Sequence, residues 1–339
     1  MFRLNQVMII TTYAYARAGL VGNPSDGYYG KTISTIIRNF KTTVRLWESP
    51  SFEIVPGSGD LGHFNSVDDF LRDVKLHGYY GGMRLIKATV RKFHDYCYAQ
   101  GIELHQRNFT IAFESDIPRL VGLSGSSAIV CATMRALMQF YNVDIPKYYL
   151  PTLILECEKG ELGISAGLQD RVIQVYEGIV YMDFAKDLVT KRGYGEYEQL
   201  QLKELPPMYV AFDPMRAEIS DVPHRNLRAL WDADDPTVLA AMQAYRQLTD
   251  RGRDAIHTCD WDELGRVMDD NYDLRRTIMN IAPENHRMVE VARSVGASAK
   301  FAGSGGAIVG LYQDGRHYQR ISDALAEIGC TVIRPMVTE

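Results

Sequence analysis

Several features are scarce in this chain, and each scarcity removes a class of function. Its five cysteines, Cys97, Cys131, Cys157, Cys259 and Cys330, are odd in number, scattered and never in a C-x-x-C pair. That pattern excludes a disulfide framework, and reduced thiols in a cytoplasmic protein are the expectation. Lysine and arginine form no block, and the formal net charge is -5, so neither nucleic acid nor an anionic membrane is expected as a partner. No apolar run reaches bilayer-spanning length. The opening "MFRLNQVMIITTYAYARAG" has too short an apolar core, and the wrong flanks, for a secretory signal; Val7 to Thr12 reads as a first strand. The eight histidines show no H-E-x-x-H and no other metal-ligand spacing, which argues against zinc. Repeats and low-complexity tracts are absent, and with them solenoids and long linkers.

What is present is the material of two ordinary cores. At 339 residues, 46% hydrophobic and 23% charged, the chain exceeds the size at which a single core stops growing. Strands are expected at "TTVRLW", "NFTIAF" and "GIVYMDF", rich in β-branched and aromatic residues. Between them Met83, Ile86, Val90, Phe93 and Cys97 form the apolar stripe of an amphipathic helix. After "KDLVTKRGYGEYEQLQLKELPP" the character changes to a strand "MYVAFD" and then helical patterns over 235–252, 260–280 and 285–295. A helix over 319–328 and a strand "CTVIRP" follow. These runs predict an α+β protein with domains 1–205 and 206–339. "WDADDPT" reads as a helix cap on a solvated face.

The stretch "PRLVGLSGSSAIV" carries the chemistry. Small residues let backbone approach an anion closely, and the strongly helical segment that follows directs its unpaired N–H groups and dipole at the loop. The loop lacks the Lys-Ser/Thr of a Walker A motif and does not match G-x-G-x-x-G. A plain serine-capped buried helix is the simpler alternative. Two further glycine-rich turns, "YARAGLVGNPSDGYYG" and "FAGSGGAIVGLY", stand near the chain ends.

In this order, "ARAGLVGNPSD", "PRLVGLSGSSA" and "KFAGSGGAIVGL" resemble the three motifs of the GHMP kinase superfamily of small-molecule kinases. "GNPSDGYYGKTIS", "GYYGGMRL", "GLSGSSAIV", "LGISAGLQDRVIQVY" and "VGASAKFAGSGGA" are most similar to its glucuronokinase branch. The resemblance implies a ribosomal-protein-S5-like N-terminal domain, a ferredoxin-like C-terminal domain and an active site between them. It also implies ATP and Mg²⁺ as cofactors and phosphorylation of the anomeric hydroxyl of D-glucuronate, with a small sugar acid as partner and the oligomeric state left open. A different sugar-1-kinase, for galactose, galacturonate or a heptose, and a non-catalytic sugar- and ATP-binding regulator are the rivals.

Residue by residue, the resemblance assigns Pro118, Gly122, Leu123, Ser124, Gly125, Ser126 and Ser127 to the nucleotide, and Ser126 or Ser127, with Glu158, to the metal. "ECEKGELGISAGLQD" places Glu158 twelve positions before Asp170, the implied catalytic base, and Arg17 in "R-x-x-L-x-G" becomes the helping cation. A carboxylate alone is a poor base for a sugar hydroxyl, and adjacent positive charge makes the proton transfer feasible. Asp26 is implied to bind sugar hydroxyls. Asn23 stands where galactokinase has a glutamate, a loss of charge that suits an anionic sugar. Arg171, Tyr28 and Tyr29 are candidates for the sugar carboxylate, Trp47 for adenine or the core. Lys300 and Gly303, Ser304, Gly305 and Gly306 belong to the third motif, which closes the site over the substrate.

Overall fold

The computed structural model describes residues 8–56, 81–215 and 221–338, the side chains of 221–225 excepted. Val7 of the expected first strand, and Gly78 to Tyr80 of "GYYGGMRL", lie outside the described residues.

The first sheet is organised by β1 (Ile9–Val21) and β2 (Lys31–Glu48), an antiparallel pair interrupted by register shifts at Tyr15/Ala16 and Gly19/Val21. The early half of β2 pairs β5 (Ile179–Asp183), and its late half pairs β4 (Phe109–Ser115). Strands β3 (Glu53–Val55) and β6 (Glu196–Gln199) complete the edges in the order β3-β4-β2-β5-β6. The expected strand "TTVRLW" is therefore only the second half of an 18-residue strand. Along β1 exposure alternates up to Tyr13, and from Ala16 onward every residue is buried. That change marks where helices cover both faces of the sheet.

Helices α1 (Gly82–Ala99) and α2 (Gly125–Tyr141) pack together, and α2 lies across β1 and β2. The predicted stripe of α1 buries Ile86, Phe93 and Cys97 and leaves Met83 and Val90 half-buried at its edge. After α3 (Leu150–Glu156) the helix continues as a wide π-type turn, Cys157–Glu161, which places Glu158 inward. Then come α4 (Gln169–Tyr176) and α5 (Lys186–Arg192). All five cysteines are free.

The second sheet contains β7 (Met208–Phe212), β8 (Lys300–Phe301), β9 (Ala307–Leu311) and β10 (Thr331–Ile333) in the antiparallel order β10-β7-β9-β8. In chain order this is fourth-first-third-second, the split βαβ arrangement of ferredoxin-like folds. Its helices are α6 (Asp221–Asp232), α7 (Pro236–Thr258), α8 (Trp261–Ile278), α9 (Pro283–Ser294) and α10 (Gly315–Ala326). Asp235 caps α7, accepting from the N–H groups of Thr237 and Val238. This helix runs past Gly252, its expected end; Gly252 faces Val21 of β1, where a side chain would crowd the contact, so the glycine serves packing rather than termination. Helix α6 was not anticipated. Among the described residues no helix is long and apolar enough to cross a membrane.

Candidate active site

Between the two sheets opens a cleft of about 700 Å³, and three loops build it. The central loop alternates into the left-handed region at Leu120 (φ 57°), Gly122 (φ 73°) and Ser124 (φ 65°) before α2 begins at Gly125. Alternation of this kind turns successive backbone N–H groups toward one concavity, an anion nest. Helix α2 has no side-chain cap, which removes the serine-cap alternative. Its N-terminal N–H groups face the nest instead.

The third loop locks onto the central one. A side chain at Gly303 would overlap the Gly122 carbonyl, and a Cβ at Gly122 would lie 2.6 Å from the Gly305 carbonyl oxygen. Helix α8 holds both outer loops through residues one turn apart. Asn271 accepts from Gly22 N–H (2.6 Å) and donates to the Asn23 carbonyl (3.2 Å); Arg275 donates to the carbonyls of Gly303 (2.9 Å) and Ser304 (2.8 Å).

At the cleft floor Arg17, on the buried half of β1, donates from Nε to Asp170 Oδ1 (2.6 Å) and from Nη2 to Oδ2 (2.8 Å). Its Nη1 donates to the Gly122 and Ala302 carbonyls, so it also joins the central and third loops. Ser124 Oγ donates to Asp170 Oδ2 at 2.5 Å. Burial alone raises the Asp170 pKa, but the charges of Arg17 and Arg171 and the bonds from Arg17 and Ser124 outweigh it and bring the group to about 2. Asp26 goes the other way: burial, then the charge of Asp170, push it up to about 6 despite a bond from Gln169 N–H. Gly167 is glycine because a side chain there would overlap the Asp26 carboxylate. Buried Glu158 accepts from Ser126 Oγ on Oε1 (2.8 Å) and from Arg171 on Oε2.

Of the residues selected from sequence, Arg17, Asn23, Asp26, Tyr28, Pro118, Gly122, Leu123, Ser124, Gly125, Ser126, Glu158, Asp170, Arg171, Gly303 and Ser304 line the cleft. For other residues the packing differs from the expectation. Ser127 is buried with its hydroxyl on the Ser124 carbonyl (3.2 Å) and does not line the cleft, which leaves Ser126 as the serine beside Glu158. Tyr29 is off the cleft too, its ring beneath Lys186 and its carbonyl held by Arg246. Gly305 and Gly306 pack the third loop on the central one rather than facing the cavity. Arg171 lines the cleft, but its guanidinium is engaged within the protein, by Glu158 and the Gly167 carbonyl. Asn23 lines the wall, and its Oδ1 accepts from buried Lys300 (2.6 Å), whose Nζ also donates to the Gly19 and Phe301 carbonyls, a contact that joins the first and third motifs. Trp47 is no part of the cleft, whose apolar wall comprises Leu85, Phe113, Ile117, Leu120, Ile129 and Ile164. Sequence reading also missed Arg119 and, from α6, Arg228 and Asp232. Arg119 lay within the quoted loop; α6 had no motif.

The chain matches the family models described as GHMP kinases N terminal domain, over residues 84–178, and GHMP kinases C terminal, over 253–329. It is 43% identical to the probable glucuronokinase 2 of Arabidopsis thaliana and 42% identical to glucuronokinase 1 of the same plant, in each case over 89% of this chain and 84% of the relative. Its fold resembles that of Lactococcus lactis galactokinase solved with galactose, with a TM-score of 0.74 at 14% identity over 97% of this chain and 93% of that one. The two sheets, the interlocked loops and these likenesses agree, and the chain belongs to the GHMP kinase family.

Proposed function

We propose that this enzyme transfers the γ-phosphoryl group of ATP to the anomeric hydroxyl of D-glucuronate, giving glucuronate 1-phosphate and ADP. The observation that carries the reading is the Asp170 carboxylate, fixed by Arg17 and Ser124 beside the nest at the start of α2, in a chain 42% identical to glucuronokinase 1 of Arabidopsis thaliana.

In this reading the nest and the α2 N-terminus cradle the ATP phosphates, and the apolar wall receives adenine. The C1 hydroxyl oxygen attacks the γ-phosphorus, the bond to the bridging β–γ oxygen breaks, and ADP leaves. Asp170, at about 2, is too weak a base to take the proton from a resting hydroxyl. It orients that hydroxyl and accepts the proton late, once bonding to phosphorus has made it acidic. Arg17 holds the carboxylate in register and stabilises charge on the attacking oxygen.

Mg²⁺ fits the residues present. Ser126 Oγ and Glu158 Oε1 lie side by side at the cleft, oxygens of the hard-donor kind this ion takes, and they are the residues that would hold it. Ordinarily this ion is bound by one or two carboxylates together with substrate phosphates and waters. When bound, the ion supplies neutralisation of the β- and γ-phosphate charge. Arg171 holds the Glu158 carboxylate aimed at this position.

The reading retains a division near residue 205, supported by the break between the sheets, and a cytoplasmic location, supported by the free cysteines. A regulator without turnover is opposed by the complete Arg17, Ser126, Glu158 and Asp170 set. ADP release measured across glucuronate, galacturonate, galactose, glucose and a heptose tests the proposal; faster turnover of a neutral sugar than of glucuronate defeats it.

A further inference from the structure

The glucuronate reading, on which this inference rests, requires a cation for the sugar carboxylate. Asp26 and Asp170 place negative charge where the sugar enters, so a uronate is repelled unless a positive group compensates. Among the described residues the cationic side chains lining the cleft are Arg17, Arg119, Arg171 and Arg228. Arg17 and Arg171 are bound to carboxylates and carbonyls at every nitrogen. Arg119 stands within the central loop, which the proposed function assigns to the ATP phosphates.

Arg228 differs from these three. Helix α6 is seated by buried Leu227 and by Trp231, whose ring lies 5.3 Å from that of Tyr28. This leaves Arg228 on the cleft side, its guanidinium 4.5 Å above the Tyr28 ring and its Nη2 donating to the Gly27 carbonyl at 2.7 Å. Its side chain is 46% exposed, and Asp232 is a loose partner at 3.8 Å, beyond hydrogen-bond length. Gly27 directly follows Asp26, and Asp26 contacts Gln169, the neighbour of Asp170. The cation is thus two contacts from the base, and one pyranose ring bears both the hydroxyl and the carboxylate they would engage. A guanidinium stacked on a ring is held ready, and its remaining N–H donors match a carboxylate.

We propose that Arg228 receives the substrate carboxylate, with Tyr28 as its platform, and sets the preference for a uronate over a neutral sugar. Turnover and calorimetric binding of D-glucuronate and of its neutral amide, D-glucuronamide, test it in the whole enzyme. In Arg228→Gln, kcat/KM for glucuronate should fall about 10- to 100-fold, mainly through KM, the range expected for a lost charge-assisted hydrogen bond. Glucuronamide should change less than about threefold, and Arg228→Lys should recover part of the preference. Exposed Asp232→Asn, a substitution that spares the fold, should tighten glucuronate binding about two- to threefold without affecting the amide. An unchanged glucuronate-to-glucuronamide ratio in Arg228→Gln and Asp232→Asn overturns the assignment while the kinase reading stands. An unmutated enzyme that ignores glucuronate but phosphorylates a neutral sugar overturns both.

Discussion

Arg17 grips both oxygens of Asp170, 2.6 and 2.8 Å away, although 153 positions separate the two residues in the chain. The same guanidinium holds the Gly122 and Ala302 carbonyls, so the candidate base and two of the loops around it share one anchor. Asp170→Asn keeps the shape and removes the proton acceptor. It should lower kcat by about 10²–10⁴-fold while nucleotide affinity stays close to that of the unmutated enzyme. Retention of more than about a tenth of kcat would assign the base elsewhere.

Ser126 and Ser127 are chemically alike and neighbours, and the fold separates them. Ser126→Ala and Glu158→Gln should each raise the Mg²⁺ concentration for half-maximal rate, because the first removes a proposed ligand oxygen and the second the carboxylate's negative charge. Ser127→Ala should leave that titration unchanged, since its hydroxyl is turned to the Ser124 carbonyl. A rise for Ser127→Ala alone would reverse the assignment.

Asp26 ionises at about 6 in the folded chain against an ordinary 3.8. A carboxyl with a raised folded pKa opposes folding once ionised; the penalty is absent below about 3.8, grows between about 3.8 and 6, and is complete above. Asp26→Asn should therefore raise the melting temperature at pH 7 by about 2–4 °C and have little effect near pH 4, as scanning calorimetry would record. If the ionised group accepts from a sugar hydroxyl, kcat/KM for glucuronate should rise from pH 5 to 7, and that step should vanish in Asp26→Asn. A variant no more stable at pH 7 than the parent would show that Asp26 carries no such penalty.

Arg275→Met should destabilise the protein by about 2–4 kcal/mol, since two buried carbonyls of the third loop lose their donor. Nucleotide KM should also increase, because the third loop braces the central one through Gly122. Urea unfolding and initial rates measure the two effects; normal stability with normal KM would show the third loop to be held by other contacts.

Local features were legible in the sequence because local physics produces them. Glycine and serine at left-handed and close-approach positions marked the three loops, the 3.6-residue stripe marked α1, and an aspartate before a proline marked the start of α7. The long first half of β2 was not legible as strand, because "KTISTIIRNF" earns its extended form from pairing with β1 and β5 rather than from an alternating pattern.

Site roles divide along the same line. The sequence by itself determined which residue types stand in each loop, and so the chemistry available: a carboxylate pair, an arginine after a strand, serines before a helix. Only the tertiary structure decided how that chemistry is shared out. Packing sets Arg171 on Glu158 and Asn23 on Lys300; Arg228 had no motif and reaches the cleft because Leu227 and Trp231 seat α6 against Tyr28. Ion pairs and hydrogen bonds form between groups brought within about 3 Å by packing, and for Asn23 and Lys300 that packing joins positions 277 apart, a distance over which no local pattern in the chain carries information.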